Sequence, residues 1–244
     1  MVVLAEVFHR LKKKGFSTVF LADDKETSIA DVLTESDFYS SNTDEIFDKI
    51  KAYQQAGEFI LGVDRNLYLS EEFFRLEERI NENDFREMTV AIVDTSGEAV
   101  DQELPYGPLD TLWDFDMELA AKHAFPAVNP LTSTSTVLEG LLVESSHLEI
   151  QQKARKTLRR YKELRFLINN RGPDGISEYD RLDYVRGERL EAYLTQPFFV
   201  AENFTRQVGK SVSLATTIKD VKAILQGDTD EMDINLLKFT GELR

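Results

Sequence analysis

The chain has 244 residues, 42% of them hydrophobic and 30% charged, which is enough to bury a core in one or two domains. Its 29 lysines and arginines face 44 aspartates and glutamates, and the formal net charge of -15 argues against nucleic acid or an anionic membrane as the main partner. Cysteine is absent, which excludes a disulfide framework and thiolate chemistry, and three scattered histidines (His9, His123 and His147) do not make a metal centre.

In chain order, Val2, Val3, Leu4, Val7, Phe8 and Leu11 trace an apolar helical face that ends in Lys12-Lys-Lys-Gly15. Lysines there suit the negative end of the helix dipole, and the glycine suits a cap. Thr18-Val-Phe-Leu-Ala22 has the length of a buried strand and runs into Asp23-Asp24, after which a polar connection is expected to about Asn42. Ile46, Phe47, Ile50 and Tyr53 predict a helix closed by Gly57, and Phe59-Ile-Leu-Gly-Val63 a second strand. Ser70 followed by Glu71 and Glu72 opens a helix that carries Phe73, Leu76 and Ile80 on one side. Met88-Thr-Val-Ala-Ile-Val93 reads as a third strand with a turn at Asp94-Thr-Ser-Gly97. Helices alternating with short apolar strands imply an α/β layer with a largely parallel sheet.

From about Leu141 the pattern is helical. Ile150, Ala154, Leu158, Tyr161, Leu164 and Ile168 keep a spacing of three or four up to Gly172-Pro173. Ser177-Glu-Tyr-Asp180 resembles a capping box and starts a helix that stops before Pro197. Ser213 opens another helix, capped by Gly227, and a last short helix is expected over 233–239. The resulting expectation is a partial α/β domain over 1–138 and an all-α bundle over 139–244. No apolar run approaches the roughly 20 residues of a membrane span and the start has no signal-peptide profile, so a soluble intracellular protein or subunit is expected.

Three stretches carry possible chemistry. Asp23, at the end of an apolar strand, has the placement of a carboxylate that holds Mg²⁺ through water, although acids end many strands for solubility alone. No Gly-x-x-x-x-Gly-Lys-Ser/Thr loop occurs in the chain, so these residues include no backbone nest or lysine for a triphosphate. Phe125-Pro-Ala-Val-Asn-Pro-Leu-Thr-Ser-Thr-Ser135 is a proline-fixed loop, either a plain connector or part of a ligand site. Gln196-Pro-Phe-Phe-Val-Ala-Glu-Asn-Phe-Thr205 sets Phe198, Phe199 and Phe204 beyond a helix end, where they either close a core or wall a pocket for a flat ligand such as a purine. Lys153, Arg155, Lys156, Arg159, Arg160 and Lys162 form a basic run, read as a solvated face balanced by acids elsewhere.

Leu194-Thr-Gln-Pro-Phe-Phe-Val-Ala-Glu-Asn-Phe-Thr205 resembles the signature of the catalytic β subunit of F-type rotary ATP synthases. The resemblance spans nearly the whole chain and corresponds to the second half of that family. It includes Thr18-Val-Phe-Leu-Ala-Asp23 as the Walker B strand, and Leu67-Tyr-Leu-Ser-Glu-Glu-Phe-Phe-Arg-Leu-Glu-Glu-Arg-Ile80. Residues 125–135 are similar to the family's Tyr-Pro-Ala-Val-Asp-Pro-Leu-Asp-Ser-Thr-Ser-Arg loop. The resemblance implies a P-loop NTPase-like partial sheet followed by a helical bundle. It implies an adenine pocket from Phe125, Phe198 and Phe204, and ATP or ADP with Mg²⁺ held at Asp23. It further implies stalk contact through Ser177, Glu178 and Asp180, with α-type head subunits and the central stalk as partners, peripheral to a membrane through the complex. Departures are Asp24 for the family's asparagine, Thr136 for its arginine, and a poorly matching stretch over 25–64. The family's phosphate loop, water-polarising glutamate and N-terminal barrel precede the matched part, so no turnover is expected from this chain alone. A β-type component of a head and a non-catalytic interaction paralogue or truncated subunit both remain open.

Overall fold

The computed structural model of the protein describes residues 1–22, 30–83, 85, 88–95, 108–136, 145–172 and 175–243. Packing divides the chain into two compact units, Met1–Pro108 and Leu109–Arg244.

The first unit runs α1 (Val2–Lys12), β1 (Ser17–Leu21), α2 (Ala30–Glu35), β2 (Phe38–Ser40), α3 (Thr43–Ala56), β3 (Phe59–Asp64), α4 (Arg65–Tyr68), α5 (Glu71–Glu82) and β4 (Thr89–Val93). The four strands form one parallel sheet in the order β2-β1-β3-β4, with Val19 opposite Phe38, Ser17 opposite Phe59 and Ile60 opposite Thr89. Alternation along the strands sends Val19, Leu21, Phe59, Leu61 and Val63 to one face, where Ile46, Phe47 and Ile50 of α3 and Phe73, Leu76 and Ile80 of α5 complete a core. On the other face Phe20 meets α1. A Cβ on Gly62 would stand 2.8 Å from Phe20 Cδ2, 2.9 Å from Phe8 Cζ and 3.1 Å from Leu4 Cδ2, so glycine lets α1 settle on the sheet. With both faces covered, every residue of β3 is buried.

The helices expected around Ile46 and after Ser70 are present. Asn42 Oδ1 accepts from the Asp44 N–H at 2.8 Å, and Ser70 Oγ from the Phe73 N–H at 3.2 Å. The polar connection expected up to Asn42 instead holds α2 and the edge strand β2. Asp37 anchors that strand: its Oδ2 accepts from the Thr18 N–H at 2.9 Å, while the Thr18 hydroxyl donates to the Glu35 carbonyl at 3.1 Å. A three-residue strand is too short to show a period of two, and the pairing that makes it is not local. The turn expected at 94–97 runs into residues outside those described.

Sheet order also locates a crevice. From β1 the chain steps outward to β2, then crosses back over β1 to β3, so the connections leave in opposite senses at the carboxyl ends of β1 and β3. Ligands of open α/β sheets bind at such reversals.

The second unit comprises β5 (Thr111–Leu112), α6 (Met117–Ala121), β6 (Thr134–Ser135), α7 (Ser145–Arg171), α8 (Glu178–Tyr193), α9 (Glu202–Thr205), α10 (Leu214–Gln226) and a 3-10 turn at Ile234–Leu236. Leu158, Leu190, Tyr193, Val221, Ile224 and Leu225 form its core. Ser177 and Ser213 cap α8 and α10 as expected. The packing boundary lies at 108/109, and the 109–136 segment is fastened to the bundle. Arg155 Nη2 donates to the Leu131 carbonyl at 2.7 Å and to that of Ser133 at 3.3 Å. The helix expected over 233–239 is only the 3-10 turn: Asp233 Oδ1 takes the Asn235 N–H, Leu237 is fully buried, and Phe239 turns the chain at φ +55°.

Helices α7 and α8 touch at Gly187, where a Cβ would lie 2.2 Å from Tyr161 Cβ and 3.3 Å from the Thr157 carbonyl oxygen. Gly187→Ala therefore forces the helices apart, and urea unfolding of the variant is expected to show a loss of about 1–3 kcal/mol. Alanine's helix propensity works the other way by about 1 kcal/mol. A variant as stable as the parent would mean that the contact yields freely.

Candidate functional site

Both proline-bearing stretches singled out in the sequence lie in the second unit, and the fold brings them together. β5 pairs antiparallel with β6, Thr111 opposite Ser135 and Leu112 opposite Thr134, which closes the 109–136 segment on itself. Inside that loop Asp116 caps α6, its Oδ1 accepting from the Glu118 N–H at 2.8 Å, while its Oδ2 takes the Asn129 Nδ2 at 3.0 Å. Asn129 Oδ1 in turn accepts from the Leu131 N–H at 2.9 Å, an Asx turn around Pro130. Phe125–Pro126 is a cis peptide.

The second stretch leaves α8 at Leu194. Thr195 is buried, donates to the Ala192 carbonyl at 2.6 Å, and accepts the Phe239 N–H at 3.0 Å. The Gln196 N–H then donates to the Phe125 carbonyl at 2.7 Å, and this bond ties one stretch to the other. Pro197 is buried, and its carbonyl accepts from the Lys210 N–H at 3.2 Å. Gly209 lies against the Phe199 ring so closely that a Cβ would fall 2.5 Å from its Cδ1.

The three aromatics proposed from the sequence take different positions around this junction. Phe125 is 36% exposed and has His123 as its ring neighbour, with centroids 6.3 Å apart. Phe198 is half-buried, two residues beyond the bond that holds Phe125. Phe204 stands on the single turn of α9 and is 89% exposed. The backbone thus juxtaposes the Phe125 and Gln196 stretches, but no ring pair among the described residues joins Phe125, Phe198 and Phe204. Asp23 lies outside the described residues. Ser177 and Glu178 are exposed at the start of α8, while Asp180 takes Arg160 Nη2 at 2.6 Å; that arginine and Ser177 hold its carboxyl below the usual range.

Next to the junction is a cavity of about 230 Å³ between the 116–131 loop, α7 and α8. Leu119, Val128, Leu131, Leu158 and Leu194 give it an apolar lining, and Glu118, Lys162, Arg165 and Glu191 its charged part; none of the three aromatics lines it. Arg165 donates through Nη1 to both Glu191 oxygens at 3.2 Å and through Nη2 to Glu118. Lys122 and then Arg165 hold the Glu118 carboxyl below its ordinary value. Burial pushes the Tyr161 hydroxyl, beneath Arg165, well up. No group of three or more metal-ligating side chains occurs among the described residues. The arginine cluster has no local sequence signal, since Arg165 lies 26 residues from Glu191 and 47 from Glu118.

A C-terminal strap braces the junction from the other side. Gln196 Nε2 donates to the Gly241 carbonyl at 3.3 Å, and the Leu243 N–H to Asp220 Oδ2 at 2.9 Å. The same oxygen receives the Tyr193 hydroxyl at 2.9 Å within the core.

No protein-family model matches the chain. Among solved structures it is similar to one described as a unique ATP synthase subunit, NeqB, from Nanoarcheaum equitans, with a TM-score of 0.68 and 13% identity over 92% of this chain and 67% of that one. A likeness at that identity establishes a shared fold.

Burial, then the bond to Asp220, raises the Tyr193 hydroxyl above its ordinary value, so the proton is held more tightly folded than unfolded. This contribution to stability is complete below the unfolded value near 10 and is lost as pH rises through the folded one. Tyr193→Phe is expected to cost about 1–3 kcal/mol at neutral pH, with Asp220 left short of a donor. The difference from the parent, followed by denaturant unfolding, should narrow above about pH 10. A constant difference across that range would contradict the assignment.

Proposed function

We propose that the chain acts as a β-type component of a rotary ATPase head, forming the base-holding side of a nucleotide site and a helical unit that faces the central stalk. The ligand is ATP or ADP with Mg²⁺, with Phe125, Phe198 and Phe204 around the base and Asp23 as the water-mediated magnesium contact. Ser177, Glu178 and Asp180 form the stalk-facing end of α8, and α-type head subunits are the neighbours.

The observation that carries this reading is the 2.7 Å bond from Gln196 to Phe125, which sets the two aromatic-bearing stretches side by side in a fold shared with an ATP synthase subunit. The order β2-β1-β3-β4 supports it independently, because the strand that leads to Asp23 borders the reversal point of the sheet. Phosphoryl transfer rests on positioning and charge stabilisation of the triphosphate. The 244 residues contain no phosphate-binding loop, so that part must come from elsewhere in a longer chain or from another polypeptide. No helix among the described residues is long and apolar enough to cross a membrane, and attachment to one would run through the complex.

A non-catalytic interaction role is the second reading, and Thr136 favours it. Where the resembling family has arginine, the Thr136 N–H and hydroxyl both donate to the Asp110 carbonyl, at 2.8 and 3.2 Å, and serve to close the loop.

Titration of the chain with a fluorescent adenine nucleotide separates the two. Weak binding that Phe204→Ala or Phe125→Ala reduces by about five-fold or more supports the base site. Binding indifferent to both substitutions, or none, supports the interaction role. Hydrolysis of Mg-ATP by the purified chain should stay at background, and turnover above it would overturn the proposed division of labour.

A further inference from the structure

The basic run on α7, together with Arg165 beyond it, splits into two sets. Arg155 is bound to the carbonyls of Leu131 and Ser133, Arg160 to Asp180 and Glu163, and Arg165 to Glu191 and Glu118. Lys153, Lys156, Arg159 and Lys162 are exposed and have no hydrogen-bond or ion-pair partner among the described residues, and the last three share one face of the helix. The pairs 156/159 and 159/162 are like charges at i, i+3, an arrangement that weakens an isolated helix. The run is therefore only in part a face balanced by acids.

Helical geometry places these cations in a defined frame. At 100° per residue, Leu148, Arg159 and Phe166 fall within about 20° of one another, with Lys156 and Lys162 to either side. The core residues Ala154, Tyr161 and Leu164 lie on the opposite face. Leu148 is 40% exposed and Phe166 69% exposed, and they are 18 residues apart, five full turns or about 27 Å. The outer face of α7 thus presents an apolar group at each end with Lys156, Arg159 and Lys162 between, unpaired among the described residues. Arg155, about 40° from Arg159, is half-buried beneath the 131–133 carbonyls and Lys162 borders the cavity, so the 109–136 segment lines one edge of the stripe. Glu163, the acid on this face, is held by Arg160 at 2.9 Å.

We infer that this stripe is a docking surface for an acidic amphipathic helix of a partner protein. Charge complementarity selects the occupant: the chain carries -15 overall and repels acidic partners elsewhere, while this stripe attracts them. The terminal Leu148 and Phe166 call for apolar residues five turns apart on the partner, with glutamates or aspartates at the i, i+3 and i+4 positions between them. A bare polyanion would satisfy the cations and leave both apolar ends exposed. The site does not depend on nucleotide binding or on the aromatics around Gln196.

The test uses the full chain and a labelled synthetic helix of about six turns, with leucines at both ends of one face and glutamates between, followed by fluorescence anisotropy. Binding is expected to fall with added salt. It should weaken by about ten-fold or more when Lys156→Glu, Arg159→Glu and Lys162→Glu are combined, and also fall with Phe166→Ser. The neutral set K156Q/R159Q/K162Q should give an intermediate loss, with circular dichroism confirming that each variant is folded. Equal binding by the charge-reversed protein, equal binding of a peptide whose leucines are serines, or displacement of the peptide by a single-stranded oligonucleotide of similar length would each overturn the proposal.

Discussion

The two proline-bearing stretches of the second unit meet through one backbone hydrogen bond, the 2.7 Å contact from the Gln196 N–H to the Phe125 carbonyl. Each stretch is poor in donors, since Pro126, Pro130 and Pro197 have no N–H to offer. A segment in that state is held by the few bonds it can make. Here they come from every side: Thr195 turns back onto α8, Phe239 and Gly241 bond from the C-terminal strap, and Lys210 closes the loop that follows Pro197. Those bonds leave the aromatic residues with distinct exposures, from half-buried Phe198 to nearly free Phe204.

Electrostatics adds a second layer of fastening. Arg155, Arg160 and Arg165 lie on one helix five residues apart, and each reaches a different element: the 131–133 loop, the start of α8, and α6 together with the middle of α8. A guanidinium presents five N–H donors in a rigid planar fork and so can bond acceptors on two elements at once in a fixed geometry. Exposed ion pairs of this kind contribute little individually. Together the three arginines tie α7 to the 131–133 loop, α6 and α8.

Much of this fold was legible in the sequence because its signals are local. Ser70, Ser177 and Ser213 each open a helix, Gly57 and Gly227 each close one, and the apolar strands over 18–22, 59–63 and 88–93 became the three longer strands of the sheet. Hidden from the sequence were features made by distant pairs. β2 exists because Asp37 reaches Thr18, and the 109–136 segment belongs with the helices because Arg155 reaches two carbonyls there. Proline and aromatic spacing marked the two stretches of the candidate site, but nothing local foretold that a backbone bond would join them or that Phe204 would stand clear of its neighbours. The cavity lining was equally hidden, being assembled from a loop and two helices.

The parallel sheet of the first unit has a bearing on how the chain reaches its folded state. Its paired strands are joined only through intervening structure: Val19 meets Phe38, Ser17 meets Phe59 and Ile60 meets Thr89, separations of 19, 42 and 29 residues. Each pairing closes a long loop before any ladder rewards it, a property of slow-forming topologies. The hairpin of α7 and α8 has only a short connection to close. The half that leaves the ribosome first is therefore the half whose strands wait longer to find one another, and its unsatisfied strand edges are what a chaperone would meet during synthesis.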